Sequence, residues 1–329
     1  MGLPTAPHVP VMADRVAALL APALTRPDAV FVDATVGAGG HALAVARACP
    51  GIRVVGIDRD SSALALTETA FRNADDAGPA FACRLTAVHS VFDGIEDAVG
   101  DLGLERIDAV LFDLGLSSMQ LDSDERGFVY SRDVALDMRM DRSRGPSAAD
   151  ILAVYSADEL ASVLRDYGEE PNARRIARAI VRRRETAPLC RSGELVEVIA
   201  AAIPARSRRK GGHPAKRTFQ ALRIEVNREL EALAAALPAA IGLLGVGGRI
   251  AALSYHSLED RLVKRELVAG ASSSAPPDMP VEPEAAKPYL RLLTRGAERP
   301  SLAEVEANPR AASARLRAAE RIRESRVAA

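Results

Sequence analysis

The fold is constrained most by a repeated pattern in which a short apolar run ends in an aspartate and a helix-like segment follows. The runs AVFVD (29–33), RVVGID (53–58) and IDAVLFDL (107–114) are continuously apolar rather than alternating. Strands of this kind are buried on both faces, as in a parallel sheet that helices cover on each side. The sequence therefore predicts an α/β fold built on a parallel sheet.

The strand pattern stops after residue 120. From 121 to 226, helical spacing and polar loops replace the apolar runs, and GRIAALS (248–254) then resumes them. We therefore expect a mainly helical domain, residues 121–226, to be inserted into a sheet domain formed by 1–120 and 227–329. Thr218–Leu237 is predicted to be one long helix, and the basic segment Ala311–Arg326 is interpreted as a helix.

The composition excludes several protein classes. The 329 residues are 48% hydrophobic and 26% charged, which is ordinary globular usage rather than that of a disordered, collagenous or coiled-coil protein. Three scattered cysteines, Cys49, Cys83 and Cys190, exclude a disulfide scaffold and suit a reducing compartment. The first residues lack the features of a signal peptide. The longest uncharged apolar stretch, 232–248, is too short and too rich in glycine for a membrane span. These features predict a cytoplasmic protein that does not enter a membrane.

Charge is distributed unevenly along the chain. The whole protein has a net charge of −1, yet residues 1–170 carry −13 and residues 171–225 carry +10. A basic block of this kind is typical of a polyanion-binding surface, although a solvated helix face rich in arginine is the alternative. Such residues contribute affinity for phosphates rather than choice of sequence. The candidate phosphate contacts are the arginines between Arg174 and Arg191 and the loop 206–217, which includes Arg208, Arg209 and Lys210.

A glycine turn, DATVGAGGH (33–41), follows the first strand. Glycines allow close approach of a ligand to the backbone, and Asp58 at the end of the second strand can accept both hydroxyls of a ribose. Dinucleotide sites prefer GxGxxG, whereas this turn lacks the last glycine and follows the acidic Asp33. A carboxylate there suits a cationic ligand, which favours S-adenosylmethionine. A tight turn with a surface aspartate is the alternative.

Other candidate residues each have two interpretations. Asp113, at the end of the fourth strand, is the candidate catalytic residue. If the methyl group goes to the exocyclic amine of a cytosine or adenine, that amine needs an acceptor that orients it. Asp113 could instead cap the next turn. His41 is interpreted as a cofactor contact or a base. His256 is interpreted as a contact to the target base or a helix cap. Arg139 lies in a loop that forms a base pocket or only a lid. No spacing of His, Cys and Asp predicts a metal site.

Several motifs, in order over residues 8–321, resemble the bacterial small-subunit ribosomal RNA (cytosine-N4-)-methyltransferase H family. The most specific are LDMRMD, HSLEDR and the run HPAKRTFQALRI, whereas the glycine turn is common to many proteins. The segments that carry the resemblance are HVPVM (8–12), DATVGAGGH (33–41), GIDRD (56–60), LFDLGLSSMQLD (111–122), ERGF (125–128), LDMRMD (136–141), YGEE (167–170), RIARAIV (175–181), HPAKRTFQALRIEVNREL (213–230), SYHSLEDRLVKR (254–265) and NPRAASARLR (308–317).

The resemblance implies a Rossmann-like class I methyltransferase with a helical insert. It implies transfer of a methyl group from S-adenosylmethionine to the N4 amine of a cytidine in the decoding centre of 16S rRNA. The implied partner is the small ribosomal subunit, and a homodimer is a further expectation from the resemblance. Met119 stands where the family usually has proline, which affects the shape of that loop. The implied cofactor residues are Gly39, Gly40, His41, Asp58, Phe92, Asp113 and Gln120. The candidate substrate residues are Ser117, Ser118, Arg139, His256, Arg208, Arg209 and Lys210.

Two other functions remain open at this point. A non-catalytic rRNA-binding assembly factor could keep the fold, but it would be expected to have a damaged cofactor site. A DNA amino-methyltransferase commonly has a Pro-Pro-aromatic run after the fourth strand, where this chain has DLGLSS (113–118).

Overall fold

A computed structural model of the chain describes residues 10–76, 81, 83–116, 126–203, 213–276, 279 and 282–324. The chain divides into two compact units, the first formed by Met1–Gly115 with Leu230–Ala329 and the second by Leu116–Glu229. The second unit is therefore a single stretch of chain inserted into the first. The predicted insert, 121–226, lies within it.

The first unit contains a seven-stranded sheet in the order β3-β2-β1-β4-β5-β7-β6. Neighbouring strands are parallel from β3 through to β5, and β7 is antiparallel to both β5 and β6. This mixed α/β sheet confirms the predicted fold class. The strands are β1 (Val30–Asp33), β2 (Arg53–Asp58), β3 (Arg84–His89), β4 (Ile107–Asp113), β5 (Leu244–Ser254), β6 (Leu290–Leu292) and β7 (Arg315–Arg321).

Apolar layers cover both faces of this sheet, as the continuous strand runs require. Phe31 and Leu111 belong to the core on one face, while the next residues along each strand, Val32 and Phe112, belong to the core on the other. Side chains alternate along a strand, so each of these strands is buried on both sides.

The described helices of this unit are α1 (Ala13–Leu20), α2 (Gly40–Ala48), α3 (Ser61–Asp76), α4 (Ile95–Gly100), α10 (Glu229–Leu243), α11 (Ser257–Gly270) and α12 (Leu302–Ala307). The first residue of α10, Glu229, is the last residue of the second unit.

The second unit is helical and has its own core. Leu136, Met138, Ile151, Leu164 and Ile176 are among its buried apolar side chains. Within its described residues, 126–203 and 213–229, the helices are α5 (Ala148–Val154), α6 (Ala157–Asp166), α7 (Ala173–Thr186), α8 (Ser192–Ala202) and α9 (Lys216–Asn227).

Helices α5 and α6 each begin with a capping box. Ser147 pairs with Asp150 and Ser156 pairs with Glu159, so the first free backbone N–H groups of each helix are satisfied locally.

Within the described ranges, no helix has both the length and the apolar character that crossing a membrane requires.

Two sequence predictions about secondary structure were wrong. The segment interpreted as a C-terminal helix contains β7, because its side chains alternate between buried and partly buried positions and it pairs with β5. The long helix expected over Thr218–Leu237 is two helices, α9 and α10. They are separated at Arg228, which has a left-handed backbone with φ of 50°.

Candidate active site

Three aspartates meet at one edge of the sheet, where the parallel strands end. Asp58, Asp33 and Asp113 are the last residues of β2, β1 and β4, and these strands are neighbours in that order. The chain runs from β1 to β2 and β3 on one side, and β4 then lies on the other side of β1, so this edge is the switch point where open α/β sheets bind ligands.

The glycine turn between β1 and α2 has little free space around it. Gly37 and Gly39 have positive φ angles of 53° and 81°, which only glycine adopts without strain. A Cβ atom on Gly39 would lie 3.1 Å from Thr67 Cγ2, and one on Gly40 would lie 3.1 Å from Pro10. Gly40 begins α2, whose first backbone N–H groups are available to an anionic ligand group.

Asp58 is fixed beside this turn by two backbone donors. The N–H of Gly37 donates to Oδ2 at 2.9 Å, and the N–H of Asp60 donates to Oδ1 at 2.8 Å. Burial raises the pKa of the Asp58 carboxyl, and these two hydrogen bonds partly offset that effect. Each carboxylate oxygen keeps a lone pair for a further donor, so Asp58 can accept the two hydroxyls of a ribose.

Phe92 follows β3 and presents a partly buried ring. It meets Phe112 edge to face, with ring centroids 5.9 Å apart. The guanidinium carbon of Arg59 lies 5.6 Å from the centroid of the Phe92 ring. These contacts fix the orientation of an aromatic surface on which a flat adenine can pack.

His41 is buried in the first turn of α2 and has acceptors at both ring nitrogens. Nε2 lies 2.8 Å from the carbonyl oxygen of Val11, and Nδ1 lies 3.2 Å from Oδ2 of Asp113. Burial, the largest single effect, lowers the pKa of His41, but the Asp113 carboxylate, the Val11 carbonyl and the charge of Asp33 together raise it to about 9. A histidine that is protonated at neutral pH is a donor, which argues against the interpretation of His41 as a base.

Two residues that the sequence reasoning missed complete the surroundings of Asp113. The hydroxyl of Tyr255 donates to Oδ1 of Asp113 at 2.8 Å, and the N–H of Asp113 donates to Oγ1 of Thr35 at 2.6 Å. His41 and Tyr255 thus hold the two carboxylate oxygens separately. The side chain of Asp113 is still 27% exposed, so a ligand can reach it. The pairing of Asp113 with Leu253 in adjacent strands brings Tyr255 to this position.

Asp33 differs from its sequence interpretation. Its carboxyl is only 1% exposed and accepts a hydrogen bond from the N–H of Thr35. Burial raises its pKa to about 7, against the charge of His41 and that hydrogen bond. Asp33 therefore favours the protonated state of His41. Because it is buried in this structure, it does not contact a cationic ligand directly.

His256 and Arg139 both have partners of their own. His256 caps α11 in a capping box with Glu259, and its Nε2 lies 3.0 Å from Glu259 Oε1. Arg139, in the second unit, makes a two-pronged ion pair with Asp137 at 2.8 and 2.9 Å. Both side chains have a structural role here, and their contact with substrate stays a prediction. Other predicted site residues lie outside the described residues: Gln120, Ser117, Ser118, Arg208, Arg209 and Lys210.

Comparison with known proteins places this chain in a family. Residues 5–322 match the profile described as "MraW methylase family". A protein of Frankia alni named "Ribosomal RNA small subunit methyltransferase H" is 59% identical over 314 residues, which cover 95% of each chain. A protein of the same name from Nocardioides sp. is 57% identical over 314 residues, covering 95% of this chain and 96% of its own.

Among solved structures, an rRNA methylase from Streptococcus thermophilus aligns with a TM-score of 0.40 and 12% identity. The alignment covers 98% of this chain and 100% of that one. The family match extends over almost the whole sequence, through both units, and it confirms the predicted family and its cofactor, S-adenosylmethionine. The chain belongs to the MraW methylase family.

Proposed function

We propose that this protein transfers a methyl group from S-adenosylmethionine to the N4 amine of a cytidine in the decoding centre of 16S rRNA. One observation carries the proposal: the accessible carboxylate of Asp113, held by His41 and Tyr255, lies at the strand edge beside the glycine turn. The names of the curated relatives support small-subunit rRNA as the substrate. A ribosomal substrate in turn places the protein in the cytoplasm.

The first unit supplies the cofactor site. The backbone of Gly39, Gly40 and His41 receives the methionine part of the cofactor at the start of α2. Asp58 accepts the ribose hydroxyls, and Phe92 packs on the adenine. Gln120 completes the site in the family pattern. When bound, the cofactor supplies an electrophilic methyl group on a sulfonium.

Asp113 then acts on the nucleophile. The lone pair of a cytosine N4 amine is delocalised into the ring, so the amine needs an acceptor that turns this lone pair towards the methyl group. The Asp113 carboxylate accepts one amine hydrogen and orients the nitrogen. His41 and the Tyr255 hydroxyl each hold one oxygen of this carboxylate, which fixes its orientation and makes Asp113 an orienting acceptor. The proton leaves after methyl transfer, when the amine nitrogen has become acidic, and solvent accepts it.

The target base must leave its stack to reach this edge of the sheet, as in other enzymes that modify bases. The basic second unit holds the surrounding RNA through phosphates. Ser117, Ser118, Arg139 and His256 are the proposed contacts to the base and its neighbours. A homodimer is a further expectation from the resemblance, and gel filtration with light scattering tests it.

The decisive experiment is a methyl-transfer assay with labelled S-adenosylmethionine. The substrates are small subunits from a strain that lacks this protein, the matching naked rRNA, and duplex DNA. The expected product, identified by nucleoside analysis, is N4-methylcytidine in the subunit rRNA. The Asp113→Asn variant should be nearly inactive, and Glu68→Gln, which alters an exposed acid on α3, should match the wild type.

Other outcomes separate the alternatives. Label on a different atom or base would reject the proposed acceptor. Label in duplex DNA alone would identify a DNA amino-methyltransferase. Intact cofactor binding with no label in any substrate would favour a non-catalytic assembly factor.

A further inference from the structure

Helix α7 (Ala173–Thr186) has six arginines in fourteen residues and only one acid, Glu185. A face that served solubility alone would mix charges of both signs. Like charges one helical turn apart also destabilise a helix. The arrangement therefore has a cost in the free protein, and the structure shows that the six arginines are not equivalent.

Four of these arginines share one side of the helix. With about 100° between successive residues of an α-helix, Arg174, Arg178, Arg182 and Arg175 fall within an arc of about 100°. All four are exposed, and the described part of the chain offers them no side-chain hydrogen bond or ion pair. We call these four residues the arginine stripe.

The opposite side of α7 is its buried side. Ala173, Ile176, Ala177 and Ile180 are buried in the core of the second unit, and they are centred about 160° away from the middle of the arginine stripe on the same 100° spacing. Burial of this apolar side fixes the rotation of α7 about its axis. The arginine stripe therefore faces solvent because of the packing, and a local rotation of the helix cannot hide it.

The remaining arginines of this region have structural partners. The guanidinium of Arg184 donates to the carbonyl oxygens of Leu152 and Tyr155 at 2.7 and 2.6 Å, which caps the end of α5. Arg183 donates to the carbonyl of Ala187 at 2.7 Å. All arginines from Arg174 to Arg191 are candidate phosphate contacts by sequence, but these two are already engaged within the unit.

Arg191 is engaged in the same way. Its Nε lies 2.6 Å from Oδ2 of Asp133, and its guanidinium also donates to the Asp133 carbonyl at 2.7 Å. The basic block is therefore divided between arginines that hold the unit together and arginines that are free to bind a partner.

We propose that the arginine stripe binds the phosphate backbone of the RNA substrate. This inference rests on the proposed function for the identity of the RNA. Guanidinium groups bind phosphates in a two-pronged geometry. From Arg174 to Arg182 the stripe extends about 12 Å along the helix axis, which corresponds to three or four nucleotides at about 3.4 Å each along one strand. The stripe contributes affinity and position, while the site in the first unit chooses the base.

The test is the salt dependence of binding to small subunits that lack the modification. The variant carries Arg174→Gln, Arg178→Gln and Arg182→Gln, and the matched control carries Arg47→Gln, Arg72→Gln and Arg295→Gln, three exposed arginines of the first unit. Both lose three positive charges. The logarithm of the binding constant is measured against the logarithm of the salt concentration, with full-length protein.

Loss of three phosphate contacts should make the slope less steep by about 2 and weaken binding on the order of a hundredfold near 0.1 M salt. The control should keep the wild-type slope, and both variants should bind S-adenosylmethionine normally. An unchanged slope for the stripe variant, or the same change in the control, would overturn the inference.

The binding measurement does not depend on catalysis, so the two proposals can fail separately. Methylation by the wild type with an unchanged slope in the stripe variant would reject the stripe and keep the function. Loss of subunit binding in the stripe variant, with no methylation by the wild type, would reject the enzymatic proposal and keep the stripe. If the stripe variant loses binding to acidic peptides or anionic vesicles but binds RNA as the wild type does, the stripe serves a different partner, and the proposed RNA contact is rejected.

Discussion

The imidazole of His41 and the carboxylate of Asp113 lie 3.2 Å apart, which ties the first turn of α2 to the end of β4. His41 also contacts the carbonyl of Val11, so the segment before α1 is joined to the same point. The histidine is thereby an electrostatic link between the cofactor turn and the acceptor carboxylate, and its charge state should affect both stability and activity.

Replacing His41 with Gln should remove a pH-dependent part of the stability of the first unit. The folded-state pKa is raised to about 9, so the stabilisation is complete below the unfolded value near 6.5 and is lost as pH rises through 9. We expect the difference in unfolding free energy between wild type and variant to be larger by about 2 to 3 kcal/mol at pH 6 than at pH 10. Urea unfolding across this range measures it.

The matched control for this series is Asn73→Ala, because Asn73 is exposed and its side chain does not titrate. Its difference from the wild type should vary little over the same pH range. A constant difference for His41→Gln from pH 6 to pH 10 would show that the histidine is not charged in the folded protein.

The Tyr255→Phe variant should lower kcat while leaving the Kd for S-adenosylmethionine near the wild-type value. The tyrosine hydroxyl donates to Asp113 Oδ1, and loss of a hydrogen bond to a charged group reduces the rate about tenfold or more if that carboxylate orients the amine. Steady-state kinetics and isothermal titration separate the two effects. Tyr289→Phe, a partly buried tyrosine elsewhere in the unit, should have normal kinetics. A higher Kd with unchanged kcat would make Tyr255 part of the cofactor site instead.

Asp58→Ala should weaken S-adenosylmethionine binding by roughly ten- to a hundredfold, the usual range for one or two hydrogen bonds to a charged group. The Gly37 N–H, which now donates to Asp58, also loses its partner. Isothermal titration calorimetry gives the affinity, and Glu68→Gln is again the control. Unchanged affinity would mean that Asp58 has no contact with the cofactor.

Asn227→Ala should destabilise the second unit without altering cofactor binding. The Asn227 side chain accepts from the N–H of Met140 at 2.8 Å and donates to the carbonyls of Met138 and Arg223 at 2.7 and 2.9 Å. Met138 has a positive φ of 61°, so these bonds hold a strained segment. We expect a loss of about 2 to 4 kcal/mol in unfolding free energy, since three hydrogen bonds disappear.

Hydrogen exchange of residues 136–140 reports this change directly. The exposed Asn73→Ala in α3 should leave exchange in that segment as it is in the wild type. Slow exchange that persists in Asn227→Ala would show that the core packing of the two methionines, rather than the asparagine, fixes the segment.

The parts of the fold that depend on local pattern were predictable. Continuous apolar runs that end in acids indicated β1, β2 and β4 and placed Asp58 and Asp113 at one edge. Tyr255 was missed because its contact with Asp113 depends on strand pairing across the insert. The strand β7 was missed because an arginine- and alanine-rich segment favours a helix until its pairing with β5 is known. The arginine stripe could have been found from the sequence, because helical phase alone separates its members from Arg184.

The placement of the insert has a consequence for the order in which the molecule folds. β4 and β5 are hydrogen-bonded neighbours, yet the whole second unit, residues 116–229, separates them along the chain. Closing so long a flexible loop costs chain entropy before the pairing of the two strands contributes any favourable free energy. If the second unit folds early around its own core, the effective loop between β4 and β5 becomes shorter, and β5 can reach β4 more easily. We therefore expect a destabilising substitution in the core of the insert to slow the formation of a cofactor site that it does not touch.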